Sequence, residues 1–518
     1  MTRPASADLG APDPPRRFRG AFRSDLDARR VMARASGPFS IVPRAVAAPR
    51  DAEDVAVLVA WARSEGIPLV PRGAGTGMPG GNVGPGVAVD FSGLAELGVV
   101  DPETGVVEAA PGVTGADLQR AALAAGRFFP ALPSSAERCT VGGMVANNAA
   151  GARSFRYGSV HAWVEGLEAV LADGTLVRLQ AGAGQPVAGF TALRDELRGR
   201  IPAPALPWPG VRKNASGYAL DRFLPTGDPV QLLVGSEGTL AVLTRLWLRT
   251  APLPAGRALA LVPVPDADAL DPLAARLTEA GASACEFFGD RFLTLSGLRA
   301  SPEVGALVGR HAALLLVEVD GDEAGVEEGL GRVLGAAADL GVDALAGRSR
   351  EECDRLWQVR HAASPVVAAQ AERGLVSMQF IEDSVVPPGR LARYLHGLDA
   401  ILADEGTDAV VFGHAGDGNV HVNPLVDVLR PDWRERVRRI LERTVTLVAG
   451  LGGTLSGEHG DGRLRAPFHE RIFGPEADAG FRLVKETLDP HRILNPGVVV
   501  AGDGQDPLEG LTPDRRIG

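Results

Sequence analysis

Three segments made almost entirely of small and polar residues place the strongest constraint on how this chain folds. They cover residues 71–77 (PRGAGTG), 140–159 (TVGGMVANNAAGARSFRYGS) and 234–240 (VGSEGTL). Glycine has no Cβ, so such loops bring backbone N–H groups close to an anion, and small residues can pack against a large planar group. One such segment is consistent with an ordinary turn, but three together predict a site for a large cofactor. Residues 71–77 match neither the P-loop nor the Rossmann pattern, so neither site is predicted.

The composition excludes several other classes of protein. The formal net charge of −11 argues against the basic face that nucleic-acid binding requires. No window approaches the roughly 20 apolar residues that span a bilayer, and the N-terminal residues lack the apolar core of a secretory signal. We therefore expect a cytoplasmic location, either free or peripheral to the inner membrane face through a partner.

Cysteine and lysine are rare in this chain, and their positions are informative. Cys139, Cys285 and Cys353 lie too far apart for a disulfide framework or a C-x-x-C metal site. Iron–sulfur clusters usually take four thiolates, so this chain is not expected to hold one. Among the 53 basic residues only Lys213 and Lys485 are lysines. Such a lysine hints at a position that arginine does not fit, although chance explains it equally well.

The 518 residues are too many for one hydrophobic core, so two or three domains are expected. Residues 1–38 are rich in Pro, Arg and Asp and predict a flexible N-terminal arm. Residues 39–252 combine short strands, Gly-rich turns and a few helices. Residues 253–499 repeat a strand–helix order, which predicts an α+β domain with helices covering an antiparallel sheet. Residues 500–518 are expected to form a polar, frayed tail.

Two further Gly-rich loops carry histidines beside other polar residues. Residues 409–423 predict a hairpin that places His414 and His421 side by side, with Asn423 on the same face as His421. Glu458 and His459 follow in the loop SGEHGDG. One isolated histidine is more often an ordinary core or surface residue. Two imidazoles and one carboxylate suit Zn²⁺, Mn²⁺ or Fe²⁺ and leave positions open for a substrate, so we favour a metal site.

The order of these motifs resembles a known flavoprotein family. PRGAGTG, TVGGMVANNAAGARSFRYGS, RKNASGY and LLVGSEGTL are similar to the FAD-binding domain of the vanillyl-alcohol oxidase / p-cresol methylhydroxylase (PCMH) superfamily. The second half resembles the FAD-linked oxidase C-terminal domain of D-lactate dehydrogenases, D-2-hydroxyglutarate dehydrogenases and the catalytic subunit of glycolate oxidase. The resemblance runs from about residue 40 to 497. It implies a PCMH-type FAD-binding domain of two subdomains followed by the antiparallel α+β domain.

The resemblance also implies which residues hold FAD. Those expected around the pyrophosphate are Arg72, Gly73, Ala74, Gly75, Thr76 and Gly77. Those expected along the isoalloxazine and ribityl part are Pro133, Gly142, Gly143, Asn147, Gly151, Arg153, Tyr157 and Gly158. Glu237 and Gly238 are expected near the adenine side, and Asn495 approaches the flavin from the C-terminal end. Some relatives attach flavin covalently to a histidine of the first loop. Residues 71–83 contain none, so FAD is expected to bind non-covalently.

The same resemblance assigns the catalytic residues. His414, His421 and Glu458 match the metal ligands, and His459 matches the base. Arg360 matches an arginine that binds the substrate carboxylate, although a surface helix arginine would look the same, and Asn423 is expected beside the substrate. Some relatives carry a second, lysine contact where this chain has Phe380, Ile381 and Glu382. Recognition of a second carboxylate is therefore not expected.

The implied activity is FAD-dependent oxidation of a small D-2-hydroxy acid, D-lactate above all, to the 2-oxo acid. The metal assists removal of the hydroxyl proton, and the hydride passes to flavin N5. A quinone, a cytochrome, an electron-transfer flavoprotein or a separate iron–sulfur protein would reoxidise the flavin. Residues 380–387 look most like members that are fused to an iron–sulfur domain. A homodimer is consistent with the resemblance.

Four alternatives remain open from the sequence. The substrate could instead be D-2-hydroxyglutarate, or glycolate as in the catalytic subunit of glycolate oxidase. Alkyl-glycerone-phosphate synthase shares the scaffold and uses FAD without net redox chemistry. A non-haem iron oxygenase would use the His/His/Glu set but leaves the flavin motifs unexplained. A flavin-binding subunit without catalysis would be expected to lack the metal ligands, which this chain has.

Overall fold

The computed structural model describes residues 10–182, 187–201, 208–361 and 374–513. Within them the strands are β1 (Ala21–Arg23), β2 (Ala45–Ala48), β3 (Leu69–Arg72), β4 (Val87–Asp90), β5 (Val106–Ala109), β6 (Arg127–Phe128), β7 (Val164–Leu171), β8 (Leu176–Gln180), β9 (Ala241–Arg249), β10 (Ala251–Pro252), β11 (Gly256–Val264), β12 (Ala284–Gly289), β13 (Ala313–Gly321), β14 (Leu345–Gly347), β15 (Val376–Ser377), β16 (Ser384–Val385), β17 (Asp408–His414) and β18 (Asn419–Val426).

The helices of the same residues are α1 (Leu26–Met32), α2 (Ala52–Glu65), α3 (Gly115–Ala124), α4 (Val141–Ala146), α5 (Ser154–Tyr157), α6 (Ala188–Arg200), α7 (Leu220–Thr226), α8 (Pro229–Leu233), α9 (Leu270–Glu279), α10 (Asp290–Leu295), α11 (Pro302–Val308), α12 (Glu323–Asp339), α13 (Arg350–His361), α14 (Leu391–Asp404), α15 (Trp433–Gly450), α16 (Gly462–Arg465) and α17 (His469–Leu488). No helix in the described ranges has both the length and the apolar character needed to cross a membrane.

The first Gly-rich loop leaves the end of a parallel strand. Strands β2, β4 and β3 run parallel, and β1 pairs antiparallel with β2 at the edge. Helix α2 packs beside them; Asp51 caps its first turn by accepting the Asp54 N–H at 2.9 Å, and Gly66 ends it in the left-handed region at φ 63°. Because β3 ends at Arg72, residues 73–77 emerge at the carboxyl edge of the parallel strands, where ligands commonly bind.

The second Gly-rich segment forms the start of helix α4, beside an antiparallel sheet of order β5-β9-β7-β8. Thr140 caps the helix by accepting the Gly143 N–H at 3.3 Å. A Cβ on Gly142 would lie 2.6 Å from Cβ of Pro111, so only glycine allows this close approach. The N–H groups of Val141 and Gly142 donate to the carbonyls of Val113 and Pro111, at 2.7 and 2.9 Å, which holds the helix N-terminus against residues 111–113.

The C-terminal half contains an antiparallel sheet of order β14-β11-β13-β12-β17-β18-β15, with β16 pairing beside β18. Alternate residues of its strands enter two different cores, as the period of a strand requires. Leu259 and Leu261 of β11 pack in a core with α10, α11 and α13, whereas Ala260 and Val262 pack in one with α9, α12, α14 and α15. This arrangement confirms the predicted α+β class with helices covering an antiparallel sheet.

Both ends of the described chain are more structured than expected. Residues 21–32, inside the expected flexible arm, contain β1 and α1, because Phe22 packs on Trp61 and β1 completes the edge of the first sheet. The expected frayed tail also packs, because Leu508 and Leu511 are buried and Gln505 donates to the carbonyls of Arg463 and Gly497. Apolar residues spaced too irregularly for a sequence pattern anchor both segments. Residues 1–9 and 514–518 lie outside the described ranges.

Candidate active site

A cavity of about 560 Å³ lies where the Gly-rich segments face the large sheet. The expected cofactor residues that line it are Arg72, Gly73, Ala74, Gly75, Thr76, Gly77, Pro133, Gly142, Gly143, Asn147, Glu237 and Gly238. The expected catalytic, metal and substrate residues that line it are Arg360, His421, Asn423, Glu458 and His459. The fold therefore brings two sets of residues, from distant parts of the sequence, into one space of the size that small-molecule sites have.

The Gly-rich wall fits an elongated ligand with an anionic group. A Cβ on Gly73 would lie 2.1 Å from Oγ1 of Thr140, and Gly75 adopts φ 74°, so both positions require glycine. Within the described residues, Oδ1 of Asn82 at this wall is buried without a hydrogen-bond partner. Arg72 is not free to grip the ligand, because it donates to the carbonyls of Asn82 and Arg34. Backbone N–H groups and small residues are what an FAD pyrophosphate and ring require here.

Some residues expected at the flavin lie outside the cavity wall. Arg153 pairs through two nitrogens with Glu318 of β13, at 2.5 and 3.0 Å, and Tyr157 donates to Asp320 at 3.0 Å. Trp357 also donates to Glu318, at 2.8 Å. These contacts join α5 to the large sheet and to α13, so the two side chains connect the halves of the protein. Gly151 and Gly158 shape the turns around α5.

Asn495 and Glu237 connect loops that border the cavity. The Asn495 amide donates to the carbonyls of Gly81 and Glu237, at 2.7 and 2.9 Å. Glu237 has a left-handed φ of 52°, and its carboxylate accepts the N–H of Asp461 at 2.6 Å. Burial, with the Asp461 charge nearby, raises the pKa of Glu237 to about 8. A strained acidic residue at a cavity wall is typical of a functional position, and this one also fixes the loop that carries Glu458.

Three ligand atoms form a nearly equilateral triangle. Nε2 of His414, Nε2 of His421 and Oε1 of Glu458 are each 3.3 Å from the other two. Ligands placed tetrahedrally at about 2.0–2.2 Å from Zn²⁺ lie about 3.3–3.6 Å apart. The pairing of β17 with β18 puts His421 opposite Phe412 and so leaves His414 and His421 on one face, as the sequence predicts. The triangle has the dimensions of a three-ligand metal site.

The outer atoms of this triangle are held by other groups. Nδ1 of His414 is 2.5 Å from Oε1 of Glu286, and Nδ1 of His421 is 3.2 Å from the carbonyl of Glu382. Acceptors on both Nδ1 atoms fix the tautomer that leaves the Nε2 lone pairs facing inward, which is usual for metal-binding histidines. Although burial opposes ionisation, the Lys213 ammonium and His414 hold the pKa of Glu458 well below its usual range. The donor set therefore fits a divalent cation.

His459 lies beside Glu458 but is oriented by different partners. Its Nδ1 is 2.7 Å from Oε2 of Glu382, and its Nε2 is 3.6 Å from Oε1 of Glu458. Burial lowers the pKa of His459, but the carboxylates of Glu382, Asp383 and Glu458 together more than offset this and raise it to about 9. Asp383 accepts the N–H groups of Glu458 and His459 at 3.0 and 2.9 Å, which fixes the loop. Nε2 of His459 therefore lies on the side of the triangle formed by His414, His421 and Glu458, as a base for a metal-bound group would need.

Glu286 connects Arg360 with the triangle of ligand atoms. Its Oε2 accepts from Nε of Arg360 at 2.7 Å, while its Oε1 contacts His414. The Arg360 guanidinium also lies over the ring of Phe412, 5.3 Å from its centroid. Since Nε is occupied by Glu286, the terminal nitrogens of Arg360 are the ones suited to a substrate carboxylate. Asn423 borders the same cavity and donates to the backbone carbonyl of His421 at 3.3 Å.

Sequence reasoning missed three residues that organise this site, Glu286, Asp383 and Arg465, and it singled out Lys213 without giving it a role. Arg465 pairs with Glu382 and is itself almost completely buried. A signal for Glu286 exists, because it is a lone carboxylate inside the apolar strand ACEFFG. A buried carboxylate in such a run needs a cationic or hydrogen-bonding partner. The partners come from strands and loops far away in sequence, so the signal indicates that a partner exists but not which one.

Two family models match separate parts of this chain. Residues 43–180 match the family model described as FAD binding domain, and residues 253–499 match FAD linked oxidases, C-terminal domain. A D-lactate dehydrogenase from Archaeoglobus fulgidus is 33% identical over 93% of this chain and 95% of its own length. The glycolate oxidase subunit GlcD of Bacillus subtilis is 29% identical over 91% and 92% of the two chains.

A third relative is longer than this chain. The D-2-hydroxyglutarate dehydrogenase of Escherichia coli is 30% identical over 94% of this chain, which spans 51% of that protein's length. Among solved structures, a 4-ethylphenol oxidase from Gulosibacter chungangensis superposes with a TM-score of 0.67 at 16% identity, covering 92% of this chain and 94% of the other. An alkyldihydroxyacetonephosphate synthase gives 0.63 at 15% identity, covering 92% and 82%. The chain therefore belongs to the FAD-linked oxidases, flavoproteins that join a PCMH-type FAD-binding domain to a FAD-linked oxidase C-terminal domain.

Proposed function

We propose that this protein oxidises a small D-2-hydroxy acid, with D-lactate preferred, to the 2-oxo acid. The Gly-rich wall would hold FAD, and His414, His421 and Glu458 would hold a divalent metal. The observation that carries the proposal is the 3.3 Å triangle of ligand atoms, which borders the same cavity as that wall. The names of the relatives support the class of reaction, and the contacts of the site supply the roles of the residues.

The two bound groups would supply Lewis acidity toward the 2-hydroxyl and a hydride acceptor, respectively. The raised pKa of His459 belongs to the metal-free site, and the charge of a bound cation would lower it again. His459 then takes the hydroxyl proton, most directly at Nε2, since Nδ1 is engaged by Glu382. The negative charge of Glu382 stabilises the imidazolium that results. Such proton transfer is typically worth about 10²–10⁴-fold in rate.

Arg360 binds the substrate carboxylate and sets which face of C2 is presented. A guanidinium matches a carboxylate with two parallel hydrogen bonds, so it fixes orientation as well as charge. Glu286 and the Phe412 ring hold the guanidinium in place before the substrate arrives. Less reorganisation is then needed on binding, which favours turnover.

The preference for a monocarboxylic substrate rests on residues 380–382. This segment contributes Glu382, and not a cation, to the cavity wall. Arg465 compensates the charge of Glu382, so its repulsion of a distal carboxylate is weaker than a free carboxylate would give. The proposed preference therefore depends mainly on residues 380–382 offering no cation to attract a distal carboxylate, and less on repulsion by Glu382.

A dye-reduction screen tests the proposed function. Purified protein would be stripped with a chelator, reloaded separately with Zn²⁺, Mn²⁺ or Fe²⁺, and mixed with D- and L-enantiomers of lactate, 2-hydroxyglutarate and larger 2-hydroxy acids, and with glycolate. We expect metal-dependent reduction with D-lactate and none with L-lactate. Turnover that is unchanged after metal removal would overturn the metal-assisted mechanism, and no reduction with any 2-hydroxy acid would favour the non-redox scaffold relatives.

A further inference from the structure

Lys213 lies against the carboxylate that completes the metal triangle. Its Nζ is 2.7 Å from Oε2 of Glu458 and 3.9 Å from Oδ2 of Asp417. Both the lysine and the glutamate are buried. Lys213 comes from the FAD-binding half of the chain, whereas Glu458 comes from the C-terminal half, so this ion pair crosses between the two halves.

The two oxygens of Glu458 have different partners. Oε1 lies 3.3 Å from Nε2 of both His414 and His421, so it faces the centre of the triangle. Oε2 is directed to the ammonium of Lys213. A carboxylate can bind a cation through one oxygen or through both, and here the second oxygen is already engaged by a strong, charge-assisted hydrogen bond.

We propose that Lys213 is a positioning residue that restricts Glu458 to binding the metal through one oxygen. This inference rests on the proposed function, because it presumes a metal at the triangle. A single-oxygen Glu458 leaves an additional coordination position open, and a 2-hydroxy acid that chelates through its hydroxyl and carboxylate needs two such positions. Lys213 thereby determines whether the substrate has room on the metal.

The ammonium is held rigidly with respect to the loop that carries Glu458. The N–H of Ala215 donates to the carbonyl of Ser456 at 2.9 Å. Ser216 Oγ and the N–H of Gly217 donate to Asp461, at 2.5 and 2.7 Å. These contacts hold the backbone of residues 213–217 against residues 456–461, so the Lys213 side chain starts from a fixed point beside Glu458, and its burial limits the other positions open to it.

A lysine suits this position better than an arginine. The three N–H bonds of an ammonium diverge, so Lys213 directs one of them to Oε2, whereas a planar guanidinium can engage both carboxylate oxygens with parallel hydrogen bonds and would withdraw Oε1 from the metal. Arginine is strongly preferred elsewhere in this chain, so the lysine at 213 matches the geometric requirement of the site.

The test compares Lys213→Met with Lys485→Met, a matched control. Lys485 is the other lysine of the chain; it is also buried and donates to three oxygens, of Thr239, Asp489 and Leu494, but it lies away from the triangle. Each FAD-loaded protein would be reconstituted with Co²⁺, and its d–d absorption read at wavelengths beyond the flavin bands. The d–d bands of Co²⁺ lose intensity as the coordination number of the metal rises.

We expect Lys213→Met to bind Co²⁺ with weaker d–d bands than the unmodified protein, because Oε2 of Glu458 joins the metal. Its kcat/KM for the hydroxy acid should fall by roughly 10–100-fold, carried mainly by a higher KM. Lys485→Met should lose thermal stability but keep the unmodified Co²⁺ spectrum. An unchanged spectrum in Lys213→Met with Co²⁺ bound would overturn the proposal.

A second measurement uses the unmodified protein, so its result does not depend on whether a variant folds. Metal-edge X-ray absorption of the unmodified, Zn²⁺-loaded protein distinguishes one bound carboxylate oxygen from two. One oxygen is expected, and two would refute the role of Lys213 even though the metal site itself stands. A protein that bound no metal at His414, His421 and Glu458 would contradict the proposed function itself. A bound metal with two carboxylate oxygens would contradict only the role of Lys213, so the two outcomes are distinguishable.

Discussion

Glu286 and His414 occupy paired positions on neighbouring strands, and their Oε1 and Nδ1 atoms are 2.5 Å apart. The other oxygen of Glu286 accepts from Arg360. One buried carboxylate therefore orients both an expected metal ligand and the expected carboxylate-binding arginine. A substitution of Glu286 should therefore disturb the expected metal ligand His414 and the expected carboxylate-binding Arg360 together.

Glu286→Gln should weaken both functions together. A glutamine amide has one acceptor oxygen, so it cannot accept from both His414 and Arg360. We expect metal affinity to fall about 10–100-fold and KM for the hydroxy acid to rise. Titration with a metal indicator and steady-state kinetics at saturating metal measure the two effects. Glu318→Gln, which changes another buried strand carboxylate, is the control and should leave metal affinity unchanged.

His459→Asn should lower kcat far more than it changes substrate binding. The expected loss is about 10²–10⁴-fold, because proton transfer is the proposed role of the ring. Metal content, determined by elemental analysis of the purified variant, should match that of the unmodified protein. If the loss of activity instead followed a loss of metal, His459 would have to be reassigned as a ligand.

The flavin should leave the protein intact on acid precipitation. No histidine lies in residues 71–83, where some relatives attach FAD covalently. The supernatant should be yellow and its FAD content should equal the amount of protein precipitated, as measured by absorbance and chromatography. Flavin that stays on the precipitated chain would contradict non-covalent binding.

D-Lactate should be a better substrate than D-2-hydroxyglutarate. Residues 380–382 offer no cation for a distal carboxylate. The quantity to compare is kcat/KM for the two acids under identical metal loading. A tenfold preference for D-2-hydroxyglutarate, about 1.4 kcal/mol of transition-state binding, would contradict the argument and require an arginine elsewhere at the wall.

Arg153→Met should destabilise the fold without displacing FAD. The arginine pairs with Glu318, which is almost completely buried, so its removal leaves that carboxylate with fewer partners. Because Arg153 is itself partly exposed, we expect the free energy of unfolding to fall by roughly 2 kcal/mol, less than for a fully buried pair. Urea denaturation measures this loss, and the ratio of flavin to protein absorbance checks the cofactor. A variant of normal stability that lacks flavin would restore the expected contact of Arg153 with FAD.

Local patterns in the sequence predicted much of the secondary structure. Asp51 and Gly66 mark the ends of α2, and Asp173–Gly174 forms the turn between β7 and β8, because capping and turn chemistry act within a few residues. The placement of His414 and His421 on one face was predictable for the same reason, since a tight hairpin fixes its own register.

The orienting contacts of the site could not be predicted in this way. Glu286 reaches His414 across 128 residues, and Lys213 reaches Glu458 across 245. Such contacts depend on how whole sheets and loops pack, and no local pattern encodes that packing. The same limit applies to Arg153. The residue lies in a Gly-rich segment and was expected to contact the flavin, but at the start of helix α5 its side chain pairs with Glu318.

The burial of both lysines has a practical consequence for the folded protein. Lys213 and Lys485 are about 4% and 3% exposed, and every other basic side chain apart from histidine is an arginine. An amine-reactive dye, cross-linker or resin therefore finds neither lysine accessible while the protein is folded. Mild acylation should modify the two lysines only as the protein unfolds. The number of labels per chain then measures the fraction of molecules that have opened.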